Sequence, residues 1–202
     1  MLTGILLIFD TVGTWERIRL KSRSSRFVLL AHLLPLLLMT SLLEGYSLVQ
    51  WGKPQGEIHQ MRKFGLTETV SFETAQLVLT LGMILFSAKL VQSLSETFHG
   101  RHMFAQAFIL LAYSLSPLII LRAFNAIPTL SPWIPWGIGI IFFISALYHG
   151  LPGIMQPDPP HAFGLFLTSA ILVITASGLL RFVISLYLEG KLERLQRLFT
   201  FA

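Results

Sequence analysis

The chain has 202 residues, of which 53% are hydrophobic and only 12% charged; it carries a formal net charge of +5 and no cysteine. Soluble domains carry about 25% charged residues, and with a mean hydropathy of +0.69 this chain has more apolar surface than one core can hide from water, so lipid is the solvent that accounts for the surplus. The absence of cysteine excludes a disulfide framework, Cys-ligated zinc and thiol catalysis.

The first ten residues, "MLTGILLIFD", hold an apolar run too short to cross a bilayer. They lack a basic leader and a small-x-small cleavage site, so a cleaved signal peptide is not expected. Leu2, Ile5, Leu6 and Phe9 recur at helical spacing on one face. In the following "TVGTWERIRLKSRSSRF", Val12, Trp15 and Ile18 share a face, while Glu16, Arg17, Lys21 and Arg23 point elsewhere. Residues 1–26 are therefore expected to form an amphipathic segment. Either it lies in the interface with Trp15 at headgroup depth and its basic groups toward anionic lipid, or it caps a helix bundle.

Residues 27–186 hold five apolar runs, at 27–48, 72–94, 103–126, 133–148 and 163–186. Each approaches the roughly 20 residues needed to span a hydrocarbon core. In lipid every backbone polar group must be satisfied within its own segment, so these runs are helices. The second and third are separated only by "SETFHGRH", and a hairpin dipping into one leaflet would lower the count by one. The expected class is an all-α polytopic membrane protein with five transmembrane helices.

Prolines and glycines punctuate the later spans. Pro117, flanked by Ser114 and Ser116, is expected to kink the third helix and free the carbonyl of Tyr113 for a serine hydroxyl. In "SALYHGLPGIMQPDPPHAFG", Gly150 permits a helix C-terminal turn and Pro152 opposes continuation, although residues 151–155 extend the apolar content past that break. The "QPDPPH" stretch disfavours helix at each residue before a proline, and the fifth helix is expected to begin near Pro160. Residues 187–202 form a basic amphipathic tail: Leu192, Leu195, Leu198 and Phe199 make one stripe, and Lys191, Arg194 and Arg197 the other. The tail either lies on the membrane, docks on a partner or extends the fifth helix.

Orientation follows the Lys and Arg near the spans. Arg17, Arg19, Lys21, Arg23, Arg26, Lys89 and Arg101 fall on the N-terminal side. Lys53, Arg62, Lys63, Arg122, Arg181, Lys191, Arg194 and Arg197 fall opposite. Seven against eight decides nothing. The dense cluster before the first span then places the N-terminus in the cytoplasm.

Ionisable groups inside a membrane are costly and are candidate functional residues. Glu44, Arg122 and Arg181 map near one end of helices one, three and five, and Lys89 lies in the second. A pairing of Glu44 with Arg122 or Arg181 would neutralise two charges and tie helices together. Long arginine stems near a span end also snorkel to water. A solute or ion path is a third use of the same residues. His32, His99, His102, His149 and His161 all map to the N-terminal face, with His59 opposite. His99 and His102 at i, i+3, with Asp158, form a weak metal-ligand pattern, unsupported by HExxH or Glu-x-x-His. No bound metal or other cofactor is expected.

There is no GxGxxG, Walker loop, GxSxG elbow or haem-attachment motif, and no catalytic residue is assigned. The Lys and Arg flank hydrophobic spans rather than forming an aromatic-basic groove, so lipid headgroups rather than nucleic acid account for them. "LYHGLPGIM" followed by "AFGLFLTSAILVI" resembles the end of the Yip1-domain proteins, a family of five-span integral membrane proteins. "AYSLSPLII" is similar to that family's Ser-x-Pro helix, and "FDTVGTWERI" resembles the bacterial lead-in. The resemblance implies a bacterial inner-membrane protein with a cytosolic N-terminus, no enzymatic activity and a role in membrane organisation or partner recruitment. Small residues such as Gly82, Ser87, Gly137, Gly139 and Gly178 permit close helix approach. The expected partners are the bilayer and another membrane protein or a larger membrane complex. A non-catalytic scaffold or accessory subunit is the leading expectation. The alternative is a small transporter, channel or lipid-handling protein using Glu44, Arg122 and Arg181.

Overall fold

The computed structural model describes residues 2–21, 23–55, 60–98, 103–189 and 191. Five helices are long and apolar enough to cross a membrane: span one Ser25–Gln50, span two Leu66–Thr97, span three Phe104–Ala126, span four Trp133–Ile154 and span five Ala162–Leu188. Each overlaps one apolar run of the sequence, and spans two and three are separate helices. Two short helices, α1 (Leu2–Phe9) and α2 (Thr11–Lys21), precede them. One element breaks the all-α expectation. Lys53–Gln55 and Gln60–Arg62 pair as an antiparallel hairpin between spans one and two. Gly52 leads into it at φ +78°, and an added Cβ there would overlap the Arg62 carbonyl, so the approach requires glycine.

The main core gathers fully buried Leu33, Leu37, Ile84, Leu110, Leu111, Phe143, Leu147 and Leu165 from all five spans. A second, smaller cluster joins Leu48, Phe64, Phe72, Ile184, Tyr187 and Leu188 beneath the hairpin. There Phe72 and Tyr187 stack with ring centroids 4.9 Å apart. Gln55 Nε2 donates to Leu188 O at 2.7 Å, so the hairpin caps the last turn of span five, where backbone carbonyls lack intrahelical partners.

The N-terminal helices pack on the bundle. In α2, Thr14, Trp15 and Ile18 are buried, whereas Val12 is 55% exposed. Trp15 is seated in the bundle: its indole Nε1–H donates to Ala146 O of span four at 2.9 Å, and its ring meets Tyr113 edge-on at 6.2 Å. In α1 the buried side chain is Leu7, while Ile5, Leu6 and Phe9 face outward.

Span four differs most from the expectation. Gly150 does not end the helix and Pro152 does not prevent its continuation; the helix runs through both to Ile154. Pro152 removes one ladder hydrogen bond, but the last turn is held by fully buried Leu151 and Met155, and Met155 N donates to Leu151 O at 2.9 Å. The chain leaves the helix at Gln156, whose φ of +46° is left-handed. Gly150 serves packing instead: an added Cβ would overlap the Trp15 indole. Span five begins at Ala162, two residues after Pro160, within the usual latitude of helix boundaries.

Span three breaks at Leu115, between Phe104–Ser114 and Ser116–Leu121. Ser116 Oγ donates to Ala112 O, one turn back in its own span, at 2.9 Å, and not to the Tyr113 carbonyl that Pro117 frees. Facing it, span one carries a π-helical turn at Leu29–Leu33, which brings His32 Nε2 to 2.7 Å from Ser116 Oγ. The tail of residues 192–202, with its Leu and Arg stripes, lies outside the described residues.

Gly150→Ala is expected to push the Trp15 ring out of its seat and lower stability by about 1–3 kcal/mol, the usual cost of overpacking. Gly137→Ala, where nothing lies within 4 Å of the added carbon, is expected to leave stability unchanged or raise it slightly, since Ala favours helix over Gly. Thermal unfolding of both variants in the same detergent checks the pair.

Candidate functional site

The polar side chains of the spans converge near the end of the bundle opposite α1 and α2. Glu44 lies two turns before the end of span one and Glu73 two turns after the start of span two. Arg122 sits where span three tightens into its final 3₁₀ turn, Arg122–Ala126, and Arg181 lies two turns before the end of span five. At about 1.5 Å per residue, these side chains are rooted roughly 6–10 Å inside the helix ends.

Arg122 is the hub. Its Nε donates to Glu44 Oε2 at 2.8 Å, and its Nη2 donates to Glu73 Oε2 at 2.6 Å and to Ser41 Oγ at 3.1 Å. Asn125, one turn on, donates to Glu44 Oε1 at 3.2 Å and accepts from Arg181 Nη2 at 3.2 Å. One connected network thus ties spans one, two, three and five. Glu44 is fully buried and the Arg122 side chain is 10% exposed, so Arg122 does not snorkel.

Lys53, at the start of the hairpin, closes the cluster from outside the spans. It is 4% exposed, and its Nζ donates to Ile127 O at 3.2 Å. Burial pushes its ammonium below the ordinary lysine range, Glu44 pulls it back up, and Arg181 adds to the lowering. Ser47 donates to Ala126 O alongside. Arg62 and Glu68 form a separate pair at 3.1 Å where the hairpin meets span two.

The structure therefore brings Glu44, Arg122 and Arg181 together and leaves Lys89 apart, on an outer face and bonded to Gln92 at 3.0 Å. Glu73, Asn125, Ser41 and Lys53 belong to the same cluster and were not singled out from sequence. The signal for Glu73 was present: "FETAQ" places an acid inside the first turn of an apolar run, and a lone Glu44 cannot balance two arginines. Asn125 carried no such signal, because a neutral amide at a span end reads as a loop residue.

The described histidines do not gather. His32 is buried against Ser116 and Tyr113. His149 bonds the Ser145 carbonyl of its own helix at 2.8 Å, and His161 precedes span five. His59, His99 and His102 lie outside the described residues. Among the described residues, no group of three or more His, Asp or Glu side chains could hold a metal ion.

Truncating Arg122 to Ala strands two buried carboxylates. Removing one partner of a buried pair costs about 3–5 kcal/mol, and a loss of that size is expected in detergent unfolding. Lys89→Ala, which touches nothing in the cluster, is expected to stay within about 0.5 kcal/mol of the parent. Equal effects from the two substitutions would show that the cluster does not hold the bundle together.

Comparison with known proteins agrees with this architecture. No curated protein and no solved structure matches the chain. A family model described as the Yip1 domain matches residues 5–181, which takes in the end of α1, α2 and all of the first four spans and reaches Arg181 in the fifth. By that match, which covers most of its length, the chain belongs to the Yip1-domain family.

Proposed function

We propose that this chain is a non-catalytic integral membrane scaffold or accessory subunit, which organises the bilayer or recruits a membrane partner. The observation that carries this reading is how the intramembrane charges are used. Glu44, Glu73 and Arg122 are paired to one another across three helices, and Arg181 joins them through Asn125. Ion pairs of this kind near a span end hold helices together, whereas a transport site is built from discontinuous helices near mid-bilayer. At the break of span three, Ser116 bonds back to Ala112 O and to His32 of span one. Family membership supports the same reading, as does the small share of described chain outside the spans. Span two buries only 22% of its apolar window, which leaves it the most surface for lipid or a neighbouring helix.

The same reading places the chain in a bacterial inner membrane with its N-terminus in the cytoplasm. Positive-inside bias counts charges free to meet the aqueous phase. Lys53, Arg122 and Arg181 are withdrawn into the bundle, whereas Arg17, Arg19 and Lys21 of α2 are exposed. The even tally of lysines and arginines thereby tips toward a cytoplasmic N-terminus.

Two measurements test this. Extraction in mild detergent is expected to retain another membrane protein at fixed stoichiometry through gel filtration. In proteoliposomes, Glu44→Ala and Arg122→Ala are expected to change no solute or lipid flux beyond what their loss of stability explains. A flux abolished in a variant that remains folded would overturn the scaffold reading in favour of a transporter. Fluorescent-protein and phosphatase fusions at the two ends are expected to report opposite compartments, the N-terminal one cytoplasmic.

A further inference from the structure

Beside the ionic cluster, spans two, three, four and five, with Leu37 of span one, line a half-open cavity of about 70 Å³. A water requires about 10–15 Å³ on this scale, so the space admits several waters or one carboxylate or phosphate group. Much of its wall is apolar, as at Leu115 and Ile184, but Arg122, Arg181, Gln76 and Trp136 also line it. Three buried donors belonging to residues of that wall have no partner among the described residues: Arg122 Nη1, Arg181 Nε and Trp136 Nε1. Gln76 Oε1 is also unpartnered, and rotation of that amide would present a fourth N–H. Glu73 Oε1 is an unpartnered acceptor of the cluster, but Glu73 does not line the cavity.

Formal charge points the same way. Among the described residues, Arg122, Arg181 and Lys53 face only Glu44 and Glu73 in the buried layer, leaving one positive charge over, and the Arg62–Glu68 pair adds none. Uncompensated charge is costly in a low-dielectric interior, and guanidinium groups match carboxylate and phosphate oxygens in geometry as well as sign. We propose that this cavity binds one oxyanion, a carboxylate or phosphate group, through Arg122, Arg181 and the Trp136 indole N–H. Half-buried Trp136 and Leu180 form its outer rim. The oxyanion is supplied either by an anionic amphiphile whose chain leaves along that rim or by a free anion.

The discriminating variant is Trp136→Phe, which keeps an aromatic ring and removes an N–H that has no partner among the described residues. Thermal unfolding in nonionic detergent is followed while adding dioleoyl phosphatidylglycerol, dioleoyl phosphatidylcholine or inorganic phosphate. Phosphatidylglycerol or phosphate, but not phosphatidylcholine, is expected to raise the melting temperature of the parent. Trp136→Phe, which also gives up packing against the core, is expected to melt at or somewhat below the parent when no probe is present. It is expected to need roughly ten- to a hundredfold more probe for half the shift, the loss of one hydrogen bond to a charged group. A response to the lipid alone assigns an amphiphile headgroup, and a response to phosphate alone assigns a free anion. Native mass spectrometry of the parent, independent of any variant, is expected to retain one anionic molecule per chain. If neither probe shifts the parent, if Trp136→Phe responds as the parent does, or if no anion is retained, the cavity holds only water and the proposal is overturned.

Discussion

A carboxylate inside a membrane protein must find a cation or lose its charge, because hydrocarbon offers it no other solvent. Glu44 satisfies that requirement with Arg122, and the rest of this bundle is arranged around the pair. Arg122 reaches Glu44 because Pro117 and the 3₁₀ turn at Arg122–Ala126 re-aim the end of span three. The same guanidinium holds Glu73, which fixes where span two starts relative to spans one and three. Arg181 then joins through Asn125, which docks span five. Apolar packing between helices is weakly directional when the surrounding lipid is equally apolar. The ionic network supplies the register that packing alone does not.

The opposite end of the bundle is held by different chemistry. There the Trp15 indole enters a seat cleared by Gly150, and its N–H meets a carbonyl of span four. His32 and Ser116 join spans one and three through neutral hydrogen bonding, at a place where one helix widens to a π-turn and the other breaks. Charge pairs hold one end and neutral polar contacts hold the other. The two motifs that stand out in sequence, the Ser-x-Pro segment and the Gly-x-Pro segment, both serve helix packing.

Hydropathy was sufficient to locate the spans, because the length of an apolar run and the thickness of a bilayer are the same constraint stated twice. It was not sufficient for their ends. Gly150 and Pro152 satisfy the local rules for stopping a helix, yet span four continues, because Leu151 and Met155 are buried and Trp15 arrives from a distant part of the sequence. Local rules cannot register that arrival. The site was legible in part for a similar reason. Charged residues stand out in an apolar sequence, so Glu44, Arg122 and Arg181 were visible. Glu73 lay at a span edge, where an acid reads as ordinary. Asn125 and Ser41 become site residues only once helices distant in sequence are brought together. The hairpin at Lys53–Gln55 was invisible, since a strand of three residues leaves no alternating pattern to read.

Span two runs from Leu66 to Thr97, 32 residues, or about 48 Å at 1.5 Å per residue, against a hydrocarbon core of about 30 Å. Leaning far enough to fit inside would take about 50°, beyond the 0–40° range of transmembrane helices. Part of this rod therefore lies outside the hydrocarbon core, in the headgroup layers that bring the whole bilayer to about 40–45 Å. Because Glu73 and Arg122 pin its lower turns to the bundle, the rod cannot slide along its axis. The protein thus sets a fixed depth at which the outer turns of span two meet the lipid headgroups.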